Sequence, residues 1–174
     1  EKKIEGECCF YGVGSTDGEL AYFKDSGLYI SDGTVAGTFL LIDDIWINKN
    51  WQKLGNHYYS IANYNGDPYL IKTDRTTAGT ELLTQLSYFG AGLSFVIFND
   101  LLHFFKQDDN KKWGLWKSDG TAAGAQLIKE FETPENRAPR HLLLLNDQLI
   151  FWVDDGINGT ELWVSDGTAP GTHL

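Results

Sequence analysis

Methionine is missing from all 174 residues. A chain that opens at Glu1 without one reads as processed, or as a piece of something longer whose remainder can include a signal peptide. Basic residues are few: 14 Lys and Arg stand against 24 Asp and Glu, a formal net charge of −10. Phosphate backbones are gripped by Lys and Arg, so no nucleic-acid partner is expected, nor an anionic membrane surface. No apolar run reaches the ~18 residues of a bilayer-spanning helix, so no membrane insertion is expected. Cysteine is confined to Cys8 and Cys9. Adjacent Cα atoms lie about 3.8 Å apart, closer than the ~4.4 Å at which disulfides begin. The pair therefore reads as two free thiols on a strand, and C-x-x-C spacing is lacking. Cysteine usage leaves the redox compartment open.

What is present points to a folded domain. Hydrophobic residues make up 42% of the chain and aromatics 14%, too rich for a disordered acidic tail. The length suits one domain of ordinary size.

The chain repeats itself. Four segments align without gaps: Leu28–Leu40, Leu70–Leu82, Leu115–Leu127 and Leu162–Leu174. Each carries Leu, then Ser or Thr followed by Asp, then Thr, Gly and Leu at fixed offsets. The aspartates are Asp32, Asp74, Asp119 and Asp166, spaced by 42, 45 and 47 residues. Aromatic pairs precede each segment: Tyr22-Phe23, Tyr58-Tyr59, Phe104-Phe105 and Phe151-Trp152. Turn residues precede the pairs: Asp17-Gly18, Gly55-Asn56, Asn99-Asp100 and Asn146-Asp147, suited to tight hairpins.

Each unit therefore reads as strand, turn, strand, loop, strand, turn, strand. The third unit predicts strands over 94–98, 101–107, 113–118 and 125–131. The fourth predicts 141–145, 148–153 and 161–165, with its last strand cut off near Leu174. Four short strands per ~45 residues is the period of a β-propeller blade. Leu142–Leu145 and Leu149–Val153 are apolar on both faces, as a sheet stacked between neighbours requires; a meander with one wet face would alternate. The expected fold is all-β, a β-propeller of four four-stranded blades over units 1–45, 46–90, 91–135 and 136–174, either closed with four blades or an arc of a larger ring. Closure with four blades predicts that Lys2–Glu5 pairs beside the fourth unit. Otherwise further repeats or a second copy complete the ring.

The Ser-Asp-Gly-Thr turn has a local cause. Asp32, Asp74, Asp119 and Asp166 accept backbone N–H bonds two residues on, and Gly33, Gly120 and Gly167 can take positive φ beside them. Arg75 replaces that glycine in unit two. The later Gly37, Gly79, Gly124 and Gly171 are read as letting the chain re-enter the next strand. Recurrence at one topological place makes these residues a structural turn.

Gly159-Thr-Glu-Leu-Trp-Val-Ser-Asp-Gly-Thr-Ala-Pro-Gly-Thr172 resembles the ELWxxDGT repeat family. The likeness covers nearly the whole chain. It is loosest where Tyr29 and Ile71 replace the Trp116 and Trp163 of the later units. The family implies tandem propeller-like repeats in an extracellular or cell-surface setting, mostly bacterial, and does not imply a catalytic residue at these positions. The turn is also similar to the Asp-box of sialidases.

No catalytic set stands out. The histidines fall at unrelated places in the units, and neither a nucleophile elbow nor a P-loop occurs. No cofactor is expected. Asp154, Asp155 and Asn158 are a weak calcium candidate, without EF-hand spacing. Asn158-Gly159-Thr160 is a glycosylation sequon. Two loops break the repeat: Asp43–Trp51, with Trp46 and Trp51, and Phe131–Arg140, with Arg137 and Arg140. Function concentrates in loops held on a rigid scaffold. The two Trp read first as packing between blades, and otherwise as an aromatic platform for a sugar or peptide. Trp116 and Trp163 are expected in packing between blades. The chain is expected to be a non-enzymatic extracellular module binding a protein or glycan partner. The alternatives are a purely structural repeat and a sialidase-like enzyme.

Overall fold

The computed structural model describes residues 11–16, 19–24, 26–47, 51–86, 94–121, 123–134 and 137–174. Every regular element among them is a β-strand. Valine, isoleucine and aromatic residues favour the pleated surface, and turn residues interrupt the chain before a helix can propagate. The first sheet runs β1 (Tyr11–Thr16), β2 (Glu19–Lys24), β3 (Gly27–Ser31) and β4 (Thr38–Ile42), in that order. The third runs β10 (Phe95–Phe98), β11 (Leu101–Gln107), β12 (Trp113–Ser118) and β13 (Gln126–Phe131). These bounds match the repeat-based expectation to within a residue.

The second sheet departs from the pattern. Its first position is filled by two short strands, β5 (Ile45–Ile47) and β6 (Gln52–Leu54), both paired antiparallel to β7 (His57–Tyr64). β8 (Asp67–Thr73) and β9 (Glu81–Gln85) follow. Residues 45–47, read from sequence as part of a loop between units, are thus a strand. The reason is local: Ile45 is fully buried, and its N–H donates to the Ser26 carbonyl at 2.8 Å. The fourth sheet holds β14 (Arg140–Leu145), β15 (Gln148–Asp154) and β16 (Thr160–Ser165). Its fourth strand is reduced to one bridge, Val164 with His173. Arg140 opens β14 rather than ending the preceding loop.

Two compact units divide the chain, Glu1–Gly66 with Ile71–Glu81, and Asp67–Leu70 with Leu82–Leu174. Residues 1–6, on which the expected pairing with the fourth unit rests, lie outside the described residues. So do Cys8, Cys9 and Asp17–Gly18.

The hairpins follow the turn chemistry. Asn99 and Asp100 take φ of 50° and 57°, and Asn146 and Asp147 take 48° and 58°. Two successive left-handed residues are what a type I′ turn requires, and its twist matches that of the strands it joins. Asn and Asp enter this region with little strain.

Within the second compact unit, strand alternation places Phe105, Trp113, Leu115 and Phe131 on one face of the third sheet. Leu149, Phe151, Val153 and Trp163 share one face of the fourth. These faces form a common core. Phe105 meets Phe151 edge-on with ring centroids 5.3 Å apart, and Phe131 meets Trp163 at the same distance, a favoured aromatic geometry. Trp163 therefore packs between sheets as its position suggests. Trp116 is half-buried, and its Nε1 donates to the Lys106 carbonyl at 3.1 Å. At the matching positions Tyr29 is half-buried and Ile71 fully buried.

One expectation fails. Leu142 is buried, but Leu143, Leu144 and Leu145 are exposed. Leu143 and Leu145 stand on the face opposite the shared core, which meets water, whereas Leu144 lies across from Leu149 on the core side and is exposed on the edge strand. A run of leucines looks the same in sequence whether one face or both are covered.

Candidate functional site

The recurring aspartates build turns. The Asp32 carboxylate accepts from the Thr34 N–H at 2.8 Å and from its hydroxyl at 2.7 Å. Thr34 Oγ1 in turn accepts from the Gly37 N–H at 2.9 Å. The same bonds recur at Asp74 with Thr76 and Gly79, and at Asp166 with Thr168 and Gly171. Asp119 takes both bonds from Thr121. The threonine hydroxyls hold the Asp32, Asp74 and Asp166 carboxyls below the ordinary carboxylate range. In every unit it is Oδ1 that takes both bonds within its own loop. Gly33, Gly120 and Gly167 take φ of 90°, 83° and 86°.

The later glycine has a role that sequence reading missed. A Cβ on Gly37, Gly79, Gly124 or Gly171 would collide with the carboxylate of the aspartate five residues earlier. The invariant spacing of Asp and Gly is the signal that could have shown it. Arg75, in the glycine position of unit two, adopts φ 74°. That strain costs about 1–2 kcal/mol, and its guanidinium lies 5.3 Å from the Tyr58 ring centre, an attraction of about 0.5–1 kcal/mol.

The acidic loop of the fourth unit is likewise spoken for. Asp155 Oδ1 accepts from the Ile157 and Asn158 N–H groups at 2.9 and 3.0 Å, which lowers its pKa. Asp154 Oδ1 accepts from the Gly156 N–H at 3.0 Å, and Oδ2 pairs with Arg137 at 3.2 Å. The structure thus joins Arg137 to Asp154, two residues singled out for different reasons. Asn158 is exposed. No group of three or more His, Cys, Asp or Glu side chains gathers to hold a metal among the described residues. Arg140 is exposed opposite Trp152.

The remaining candidates lie in the first compact unit. Trp51 is half-buried, and its Nε1 is buried with no hydrogen-bond partner among the described residues. Trp46 is 61% exposed, which overturns its reading as packing between sheets. Alternation supplies the reason: Ile45 points into the core, so its neighbour points out. Trp46 borders a cleft of about 550 Å³ lined by Ser26, Asp44, Asn63, Asn65 and Gly66.

The elements that position this lining are short and well tied. Trp46 and Asn63 are direct cross-strand neighbours on β5 and β7. Asn65 and Gly66 form the β7–β8 turn with φ of 51° and 91°. Ser26 and Asp44 also take positive φ, 68° and 55°. Ser26 carries the carbonyl that anchors Ile45. Asn63, Asn65 and Asp44 are exposed. Chemically the cleft offers one indole face, two amides, one carboxylate and one hydroxyl. Amides both donate and accept, a carboxylate accepts, and a hydroxyl does either. Sequence had marked Trp46 alone. Asn63 and Asn65 sit in another strand and its turn, and only β-pairing brings them beside it.

No family model matches the chain, and no curated protein matches it. Among solved structures it is similar to a prolyl endopeptidase, over 90% of this chain and 24% of that one, at 11% identity and a TM-score of 0.54. It also aligns with the nidogen/laminin complex, over 86% of this chain and 55% of that one, at 13% identity and a TM-score of 0.42. The chain spans about a quarter of the length of the prolyl endopeptidase it matches. At that identity the likeness is one of fold, and together with the successive antiparallel sheets it gives the chain an all-β, propeller-like architecture.

Proposed function

We propose that this protein is a non-enzymatic binding module of β-propeller type, built of ELWxxDGT-like blades in an extracellular or cell-surface protein, and that its ligand is a carbohydrate. The observation that carries the reading is Trp46, 61% exposed beside a cleft whose other side chains are polar. A sugar ring has an apolar C–H face and a rim of hydroxyls. The indole suits the first, being a large apolar surface. Asp44, Asn63 and Asn65 suit the second. Ligand sites combine aromatic surface with a few placed polar groups in this way. The lining contains a single carboxylate, whereas glycoside hydrolysis ordinarily uses a pair, so the reading is of binding without turnover.

A glycan array followed by calorimetry on a retained glycan tests this. Trp46→Ala should weaken binding at least about tenfold, or ~1.4 kcal/mol, with an unchanged melt because the side chain is exposed. Asn63→Ala should weaken it too. Silence across the array would favour a purely structural repeat, and release of sugar would favour an enzyme.

A further inference from the structure

In units three and four, the loop between the second and third strands turns its polar side chains back on itself. Asp108 Oδ1 accepts from the Asn110 and Lys112 N–H groups at 2.9 and 2.8 Å. Asp154 and Asp155 cap their own loop in the same way. Unit two is built differently. Its corresponding turn carries Asn65, with Asn63 just before it on β7, and both line the cleft at Trp46 together with Ser26 and Asp44. Among the described residues, none of these four side chains makes a hydrogen bond or an ion pair. All lie within the first compact unit.

The charge at the cleft is equally distinctive. Other carboxylates have cations beside them: Glu81 has Lys72 at 3.0 Å, Glu130 has Lys112 at 3.2 Å, and Asp154 has Arg137 at 3.2 Å. Asp44 is the one charged residue of the cleft lining, and no lysine, arginine or histidine joins it there. The aromatic faces show the same contrast. Lys106 stands 5.3 Å from the Trp116 ring centre, and Lys53 and Arg75 each stand 5.3 Å from that of Tyr58. No cation among the described residues covers Trp46, which is 61% exposed.

We infer, resting on the carbohydrate reading above, that the ligand is an amino sugar bound in its ammonium form, with Asp44 as the counter-charge and Trp46 against the sugar ring. An ammonium donates three hydrogen bonds and accepts none, and its bonds to a carboxylate are among the stronger ones. An indole face attracts a cation through its quadrupole while covering the C–H face of the ring. The two asparagine amides donate and accept, as hydroxyls require. An anionic sugar would set its carboxylate against Asp44 with no cation in the lining to offset it, on a chain of net charge −10. Like-charge opposition of this kind excludes a competing ligand.

Calorimetry on the 174-residue chain in mildly acid buffer, where the sugar amine is protonated, tests the inference. The probes are a glucosamine oligomer, its N-acetylated counterpart and a galacturonate oligomer of the same length. The glucosamine oligomer should bind at least about tenfold tighter than the N-acetylated one, and the galacturonate oligomer should bind weakest. Added salt should weaken the first and leave the neutral ligand unchanged. Asp44→Asn should erase the preference and keep the N-acetylated affinity. Asn tolerates the left-handed backbone that Asp44 adopts at φ 55°, so the variant keeps its melt. Trp46→Ala should weaken both ligands. Equal or tighter binding of the N-acetylated oligomer, still weakened by Trp46→Ala, overturns the inference and leaves the carbohydrate reading standing. A preference that survives in Asp44→Asn also overturns it, because the attraction then belongs to the net charge of the chain. Silence towards all three probes overturns it too, and the wider glycan array then decides the carbohydrate reading.

Discussion

The repeat turn is an interlocking set of small parts, and each part has its own penalty for change. The hydroxyls of Ser31, Thr73 and Ser165 donate to those of Thr38, Thr80 and Thr172 at 2.6, 2.7 and 2.7 Å. Those threonines in turn donate their own protons to the carbonyls of Thr34, Thr76 and Thr168. Unit three has Ala125 at that position. Ala125→Thr should restore both bonds beside the buried Ser118 and stabilise the protein by about 0.5–1.5 kcal/mol, read as a higher urea midpoint. Gly171→Ala should do the opposite. Its methyl must displace the Asp166 carboxylate and break the Thr168 bonds, an overpacking cost of about 1–3 kcal/mol. An unchanged midpoint in Gly171→Ala would show that the loop opens freely.

At the scale of single elements, β11 carries an unusual burden. His103 is fully buried, its Nδ1 lies 3.2 Å from the Leu101 carbonyl, and its ring is tilted against Phe98. Gly167 of the neighbouring unit approaches its Nε2 closely enough that a Cβ there would stand 3.3 Å away. Burial pushes the imidazole down to about 4. The unfolded chain binds the proton first, with an ordinary value of ~6.5. The neutral ring therefore adds its full stability above that pH, and the contribution is lost as pH falls towards 4. Urea melts at pH 7 and 4.5 should show a larger drop for the wild type than for His103→Gln. The repeat-turn carboxylates have lowered pKa values. They protonate in the folded state only below the ordinary carboxylate range, so their loss falls in a more acid window.

For the whole molecule, stability depends on stacking, because the third and fourth sheets bury their facing apolar side chains in one shared core. Removing residues 136–174 would uncover Phe105, Trp113, Leu115 and Phe131, four large side chains buried in the shared core. Repeat units contact neighbours and are stabilised through those interfaces. The truncated chain should bind a hydrophobic dye strongly and aggregate, measured by light scattering. A soluble, cooperatively melting truncation would mean that the third sheet covers that face in another way.

Much of the architecture was legible in residue order. The repeat of Asp32, Asp74, Asp119 and Asp166 placed the turns, and the Asn-Asp pairs placed the hairpins, because turn chemistry and strand alternation act over a few neighbours. The strands of units three and four followed to within a residue. Three matters needed the tertiary structure. Whether Leu143–Leu145 are covered depends on a neighbouring sheet, which a local pattern does not encode. The need for glycine at Gly171 comes from a carboxylate folded back across the turn. The cleft at Trp46 joins residues from β5, β7 and two turns, and only the pairing of β5 with β7 sets Asn63 beside the indole. Sequence fixes what each segment prefers; long-range pairing decides which side chains share a surface, since contact between distant residues is a property of the folded chain alone.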